Sequence, residues 1–339
     1  MRIGNWALAN RVFVAPMAGV TDRPYRRLCR RLGAGYAVSE MAASDPRLRD
    51  SVKTARRLDH QGEGEPVAVQ LAGACPDMLA EAAVYNIHKG AHIIDINMGC
   101  PVRKVCRTAA GSALLRDEDL VARILDRVVS ACQVHDVPVT LKTRTGWDAD
   151  SRNAVRIACR AREAGIAALF LHGRTRCDLY RGQAEYDTIR TVKQAVDIPV
   201  IANGDIDSPL KARQVLDYTG ADAVMIGRAA QGRPWIFGQI SHFLEHGDVP
   251  PAPTHGQLRT LLLEHLEDHY QFHGEHAGVR TARKHIGWYL AALPDAGEWL
   301  PLIKRIETTA GQARMLDRWL AQYPSEQPFM TDSATSLAV

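Results

Sequence analysis

The chain has 339 residues, 46% hydrophobic and 24% charged, which is ordinary globular composition and excludes a low-complexity or wholly disordered protein. Its formal net charge of +4 is too small to decide for or against a nucleic-acid partner, so placement of the charges has to decide. Seven cysteines without a CxxC pair read as reduced thiols rather than a disulfide framework, no apolar run approaches the ~20 residues of a membrane span, and the amino terminus has no long apolar region, so a cytoplasmic protein is expected.

Taken in order, short apolar runs at 12–15, 36–39, 67–71, 93–96, 137–142, 168–172, 198–202 and 223–226 are each followed by a longer amphipathic segment. The spacing predicts helices such as 77–89, stopped by Gly90, and 151–164, stopped by Gly165. Eight strand–helix units in sequence predict an α/β fold, the (β/α)8 barrel. A doubly wound sheet is the rival, but Ala15-Pro16-Met17-Ala18-Gly19 after the first run lacks the GxGxxG phosphate loop. The barrel is assigned to residues 1–246. Clustered prolines make 247–254 a linker, because proline cannot continue a helix. Residues 255–323 carry helical periodicity and predict a small all-α domain, with Leu258, Leu261, Leu262, His265 and Leu266 on one stripe, and the polar stretch 324–339 is expected to be a disordered tail.

In a barrel the residues that close the strands share one rim. Here they are Pro16/Met17, Glu40, Gln70, Asn97/Cys100, Lys142/Arg144, His172/Arg174, Asn203/Asp205 and Gly227/Arg228. Amide, lysine and histidine donors without metal-ligand spacing suit an electron-rich heterocycle and a phosphate, and no catalytic metal is expected. Gly204 and Gly227, after the seventh and eighth strands, permit the close backbone approach of a phosphate cradle. Lys142 ends a buried strand, which is costly unless its charge is used. Cys100 alone reads as a small buried hydrophobe; its place after Asn97-Met98-Gly99 at a strand end makes it a candidate for chemistry.

The segments Ala15-Pro16-Met17-Ala18-Gly19-Val20-Thr21-Asp22-Arg23-Pro24, Asp95-Ile96-Asn97-Met98-Gly99-Cys100-Pro101, Leu141-Lys142-Thr143-Arg144-Thr145-Gly146-Trp147, His172-Gly173-Arg174-Thr175, Asn203-Gly204-Asp205-Ile206 and Gly227-Arg228-Ala229-Ala230-Gln231-Gly232-Arg233-Pro234-Trp235 stand together in this order. In these the chain resembles the tRNA-dihydrouridine synthases, most closely the bacterial B type. The resemblance implies an FMN-containing barrel with a helical tRNA-recognition domain, reducing the C5=C6 bond of particular uridines with electrons from NADPH. It implies that Pro16, Met17 and Ala18 lie along the flavin, that Gln70, Lys142 and His172 contact its rings, and that Asn203, Gly204, Asp205, Gly227 and Arg228 surround the phosphate. It makes Cys100 the acid that protonates C5, with Asn97 on the uracil edge. A thiol with an ordinary pKa of roughly 8.5 stays protonated at neutral pH, as an acid must. Cys106 departs from the family pattern and is expected to be dispensable; Cys29, Cys75, Cys132, Cys159 and Cys177 are expected to be structural.

For tRNA the candidate cations are Arg103, Lys104 and Arg107, then Arg144, Arg174, Arg176 and Arg181, and Arg280, Arg283, Lys284 and His285 in the helical domain. Residues 250–325 hold eight basic and eight acidic side chains, so an RNA face there must be local. Arg23, Arg26, Arg27, Arg30 and Arg31 read as an exposed helix side. No protein or membrane partner is called for. The rivals are an FMN barrel acting on free pyrimidines, disfavoured by the helical extension and the lack of iron–sulfur cysteine runs, and a non-catalytic RNA-binding barrel.

Overall fold

The computed structural model describes residues 1–49 and 51–329. All eight predicted runs form parallel strands: β1 Val12–Val14, β2 Tyr36–Ala37, β3 Ala68–Ala72, β4 Ile93–Met98, β5 Val139–Arg144, β6 Ala168–His172, β7 Val200–Asn203 and β8 Ala223–Ile226. They pair in chain order from β3 to β8, and β8 returns to β1, which pairs β2. The ring closes through the second run, where Val38 bridges Ala68 and a further piece, Ala42–Ala43, pairs with Leu71 and Ala72. Counting that piece separately gives a nine-stranded sheet. The (β/α)8 fold is therefore the observed one. β5 and β7 start two residues later than the sequence suggests, because Pro138 and Pro199 have no N–H to donate to the ladder.

The strands are buried on both faces, as a parallel sheet covered by helices must be. Inside the amino-terminal half, Phe13, Tyr36 and Phe170 stack with ring centroids 5.4, 6.0 and 6.4 Å apart. Such pairs contribute about 0.5–1.5 kcal/mol each beyond area burial. A short hairpin, Arg2–Ile3 with Trp6–Ala7, puts Ile3 into the same cluster and shuts that end. The barrel is thus filled at the amino ends of its strands and open only at the carboxyl ends.

Helix Arg23–Arg31 corrects one expectation. Asp22 caps it by accepting from Tyr25 N, and Arg26, read as exposed, is buried. Its guanidinium pairs with Glu63 and donates to the carbonyls of Thr21 and Asp59. Burial opposes ionisation of Glu63, yet His60 and Arg26 together hold it down to about 2. The 59–63 loop that supplies these partners is what sequence periodicity cannot see. Of the cysteines expected to be structural, Cys29 and Cys132 are buried, whereas Cys75 and Cys177 are exposed and support no core.

After Gly247, in a left-handed conformation at φ 89°, the linker runs to Thr254, which forms a capping box with Gln257. Helices His255–His273, Glu275–Leu290, Ala296–Arg305 and Thr309–Leu320 then bury Leu258, Leu262, Leu266, Ile286, Leu290, Leu316 and Trp319 in a core of their own. Trp235 enters that core from the barrel side. Barrel and bundle meet without a side-chain cushion at Gly232: a Cβ there would stand 2.3 Å from the main chain of Trp288, so no other residue fits. Nearby, Tyr25 donates its hydroxyl to Ala230 O at 2.7 Å. The expected disordered tail is ordered at its start. Residues 325–329 return along the linker, with His255 N on Gln327 O, Gly256 N on Ser325 O and Phe329 N on Pro253 O, while Phe329 packs on Trp235. An apolar residue at 329, seated in the bundle core, outweighs the polar composition around it. The remainder of the predicted tail, 330–339, lies outside the described residues. Among the described residues, no helix is long and apolar enough to cross a membrane.

Candidate active site

The carboxyl ends of the strands surround a cavity of about 740 Å³, within the ~300–1,000 Å³ typical of cofactor and small-molecule sites. Pro16, Met17, Ala18, Gln70, Asn97, Cys100, Lys142, Arg144, His172, Asn203, Gly204, Asp205, Gly227 and Arg228 all line it. Those are the predicted rim residues except Glu40 and Arg174, joined by the predicted cofactor residues Ala18 and Gly204. Glu40 turns to Arg57 at 3.5 Å, and Met41 faces the cavity in its place.

One wall is a chain of side-chain amides. Thr140 Oγ1 donates to Asp95 Oδ1 at 2.6 Å, Gln70 Nε2 to Asp95 Oδ2 at 2.7 Å, and Asn97 Nδ2 to Gln70 Oε1 at 2.8 Å. Asn97 Oδ1 then accepts from the main-chain N–H of Cys100 at 3.0 Å. Asn97, expected on the uracil edge, therefore spends its carbonyl on fixing the Cys100 turn. The sequence reading missed Asp95, treating it as part of an apolar strand. A carboxylate among isoleucines was the signal, since it cannot be buried without partners. Burial pushes Asp95 up to about 6 against the pull of Gln70, Thr140 and Lys142.

The adjoining arc of the rim, from β5 to β7, carries the cations. Lys142 Nζ donates to Asn203 Oδ1 at 3.1 Å, and Asn203 Nδ2 donates to Met225 O at 2.7 Å. With Oδ1 thereby fixed as an acceptor, the ring nitrogen 2.9 Å from it, His172 Nδ1, carries a proton. Burial, then Lys142 and Arg144, push the His172 pKa well down, so the ring is neutral. Burial and Arg144 push Lys142 down to about 8. Asn203, expected at the phosphate, is thus the holder of Lys142 and His172.

Arg144 and Arg174 were expected to meet RNA, and both are about 2% exposed. Arg144 donates to the carbonyls of Gly99, Thr175 and Leu179, tying the Cys100 turn to the loop after β6. Arg174 forms a bidentate pair with Asp205, at 2.9 and 2.5 Å, and binds Arg181 O and Gly182 O. Asp205 also holds Arg228 at 3.0 Å, so its carboxylate arranges cations rather than facing a phosphate itself. The correction has one cause: a loop that must lie flat over the rim uses the nearest guanidinium to satisfy its carbonyls. Gly204 has φ 124°, a backbone that glycine alone adopts without strain, whereas a Cβ on Gly227 would stand 3.7 Å from Ala15 and Met17 in the cavity lining. Tyr180, another residue the sequence reading passed over, closes this side, edge-on to His172 at 6.3 Å and under Arg144 and Arg228 at 5.3 Å each.

Cys100 lines the cavity just past the end of β4. Its carbonyl accepts from Ser112 N at 3.1 Å and Ser112 Oγ at 2.9 Å, and burial raises its thiol pKa above the ordinary value. It is a thiol at neutral pH, suited to donate a proton. Cys106 lies behind it, with Sγ 3.7 Å from Cys100 O. Of the expected RNA contacts, Arg103, Lys104, Arg107, Arg181 and Arg280 are exposed; His285 is buried, Arg283 donates to Ile306 O, and Lys284 reaches Gly19 O on the barrel rim.

Solved structures similar to this chain include histamine dehydrogenase from Rhizobium sp. 4-9, with TM-score 0.54 and 12% identity over 79% of this chain and 50% of that one. A 2-naphthoyl-CoA reductase complex is similar at TM-score 0.55 and 12% identity, over 71% of this chain and 51% of that one. These likenesses are of fold. In sequence, the chain is 60% identical to tRNA-dihydrouridine synthase B of Pseudomonas aeruginosa over 95% of this chain and 96% of that protein. It is 56% identical to the protein of that name from Xanthomonas axonopodis pv. citri, over 98% and 100%. The profile of the dihydrouridine synthase (Dus) family matches residues 13–324. On these matches the chain belongs to the dihydrouridine synthase family.

Proposed function

We propose that this protein is an FMN-dependent tRNA-dihydrouridine synthase that takes electrons from NADPH and reduces the C5=C6 bond of specific uridines in tRNA. The observation that carries the reading is a protonated thiol, Cys100, lining a cavity that also presents Lys142, Gln70, neutral His172, Arg144 and Arg228. Family membership supports the reaction, and the donor set supports the cofactor. Lys142 beside an electron-rich ring stabilises negative charge on it. Pro16, Met17 and Ala18 offer an apolar face, and the Gly204 and Gly227 turns with Arg228 offer main-chain N–H groups and a half-exposed cation to a phosphate. Bound FMN, reduced by NADPH, supplies the hydride that adds to C6 of uracil.

The chain's own residues do the rest. Addition at C6 leaves negative charge across C5 and the C4 carbonyl, and Cys100 Sγ–H gives its proton to C5. Asn97 and Ser112 hold the turn that aims it. The target base must leave its stack, at a cost of a few kcal/mol. Exposed Arg103, Lys104 and Arg107, directly after the Cys100 turn, with exposed Arg181 in the loop after β6, offset that cost through phosphate contacts. Such an enzyme works in the cytoplasm, where tRNA is modified.

The test is to purify the protein, identify any flavin released by acid, and measure anaerobic reduction by NADPH and NADH. Dihydrouridine is then mapped in tRNA from cells lacking the protein, with and without its restoration. Yellow protein carrying FMN and position-specific return of dihydrouridine are expected. A protein that stays colourless after FMN reconstitution, or tRNA unchanged by its loss, removes the reading.

A further inference from the structure

At the seam between barrel and bundle, Asp22 of the barrel meets a column of histidines at every fourth position of helix His255–His273: His265, His269 and His273. His285 of helix Glu275–Leu290 closes the group, 5.0 Å from His265 and 5.4 Å from His269 between ring centroids. Spacing of four places them on one helical face. Asp22, His269 and His273 each bring a ligand atom within 4.8 Å of the others. Asp22 Oδ2 lies 2.7 Å from His273 Nε2 and 3.5 Å from His269 Nδ1.

The hydrogen bonds fix which nitrogen of His269 is bare. Thr281 donates its hydroxyl to Ala277 O at 2.7 Å, so at His269 Nε2, also 2.7 Å away, Thr281 can only accept. The ring proton therefore sits on Nε2. Nδ1, fully buried and without a hydrogen-bond partner, aims its lone pair at the Asp22 carboxylate. A lone pair facing an anionic oxygen is unfavourable unless a cation stands between them. Lys284, the neighbouring ammonium, is held on Gly19 O instead.

We propose that Asp22, His269 and His273 bind a borderline divalent metal ion of the Zn²⁺ class, which ties the helical bundle to the barrel. Tetrahedral zinc with bonds near ~2.0–2.1 Å sets its ligand atoms about 3.3 Å apart, close to the His269–Asp22 separation. His273 Nε2, 2.7 Å from Asp22 Oδ2, has to shift to meet that geometry. It can, because it is the last residue of its helix, partly exposed and followed by Gly274. Thr281 supplies the outer hydrogen bond that orients a ligating imidazole. Two nitrogens and one oxygen suit Zn²⁺ rather than the all-oxygen preference of Mg²⁺ or Ca²⁺. The sequence reading passed over the set because Asp22 lies some 250 positions from its partners, a distance of 251 in sequence to His273.

The test uses the full-length protein, stripped with chelator and equilibrated by dialysis with Zn²⁺, with metal counted by mass spectrometry. Cys75→Ser/Cys177→Ser serves as background, since exposed thiols also take zinc. About one Zn²⁺ per chain is expected, with affinity lowered at least ~10-fold in His273→Gln and in Asp22→Asn. Asparagine caps a helix as well as aspartate, so the second variant keeps helix Arg23–Arg31 while removing the anionic ligand. Zinc should also slow protease cleavage in the linker 247–254. No stoichiometric uptake by the parent, or uptake that both variants retain in full, overturns the site.

Discussion

Cys100→Ala separates the two halves of the proposed reaction. The turn that carries the thiol is fixed by main chain: Cys100 N on Asn97 at 3.0 Å and Cys100 O on Ser112 at 2.9 and 3.1 Å. Deleting Sγ from a partly exposed position therefore leaves the turn in place and costs on the order of 1 kcal/mol of stability. Loss of a positioned acid costs about 10²- to 10⁴-fold in rate, which is roughly 3–5 kcal/mol at ~1.36 kcal/mol per decade. The assay is stopped-flow. Reduced enzyme is mixed anaerobically with tRNA lacking dihydrouridine and the return of oxidised flavin absorbance is followed; separately, NADPH reduces oxidised enzyme. The variant should lose its tRNA-dependent step by that factor while the NADPH step stays within about twofold. Because burial raises the thiol pKa, the wild-type tRNA step should be level through neutral pH and fall only as pH climbs past the ordinary thiol range. Wild-type flavin oxidation by tRNA in Cys100→Ala refutes the acid role.

Lys142, pushed down to about 8, is charged below that pH, so FMN affinity by equilibrium dialysis should weaken as pH rises through about 8, and Lys142→Met should bind more weakly with a flat profile. Asn97→Ala removes the acceptor that holds the Cys100 turn and should slow the tRNA step by about 10- to 100-fold with FMN still bound; an unchanged rate counts against the positioning role. Asp205→Asn leaves Arg174 buried with a neutral partner and should cost about 3–5 kcal/mol in denaturant unfolding. Glu63, held near 2, stabilises the fold above its ordinary carboxyl value and loses that contribution as pH falls towards 2. Arg26→Ala should therefore move acid unfolding to higher pH, and an unmoved midpoint would show the pair to be neutral.

The barrel was legible because each strand is a short, doubly buried apolar run between turn residues, and nothing at long range competes with that pattern. Its strand-end residues were legible for the same reason: once β7 ends at Asn203, geometry puts Asn203 on the rim. What the pattern could not carry was how polar groups divide among themselves. Arg174 and Arg228 both flank the cavity in sequence, yet Asp205 and the carbonyls of Arg181 and Gly182 bury the first and leave the second half exposed. Asp95 and Gln70 lie on different strands, 25 residues apart, and only the register of β3 against β4 makes them neighbours. Arg26 and Phe329 fail alike: each is decided by a partner that is distant in the chain or supplied by a loop.

The contact at Gly232 has a consequence for how specificity can change. Where two parts of a protein meet through side chains, larger or smaller residues shift them gradually. At Gly232 main chain touches main chain at Trp288, so this point of the interface has no such adjustable layer. That contact fixes how closely the bundle approaches the cavity mouth on this side. Under the proposed function, the distance between the reacting base and the rest of the docked tRNA is gauged by that approach. Altering the target uridine would require turning or rebuilding the bundle, whereas point changes around the cavity would alter rate alone.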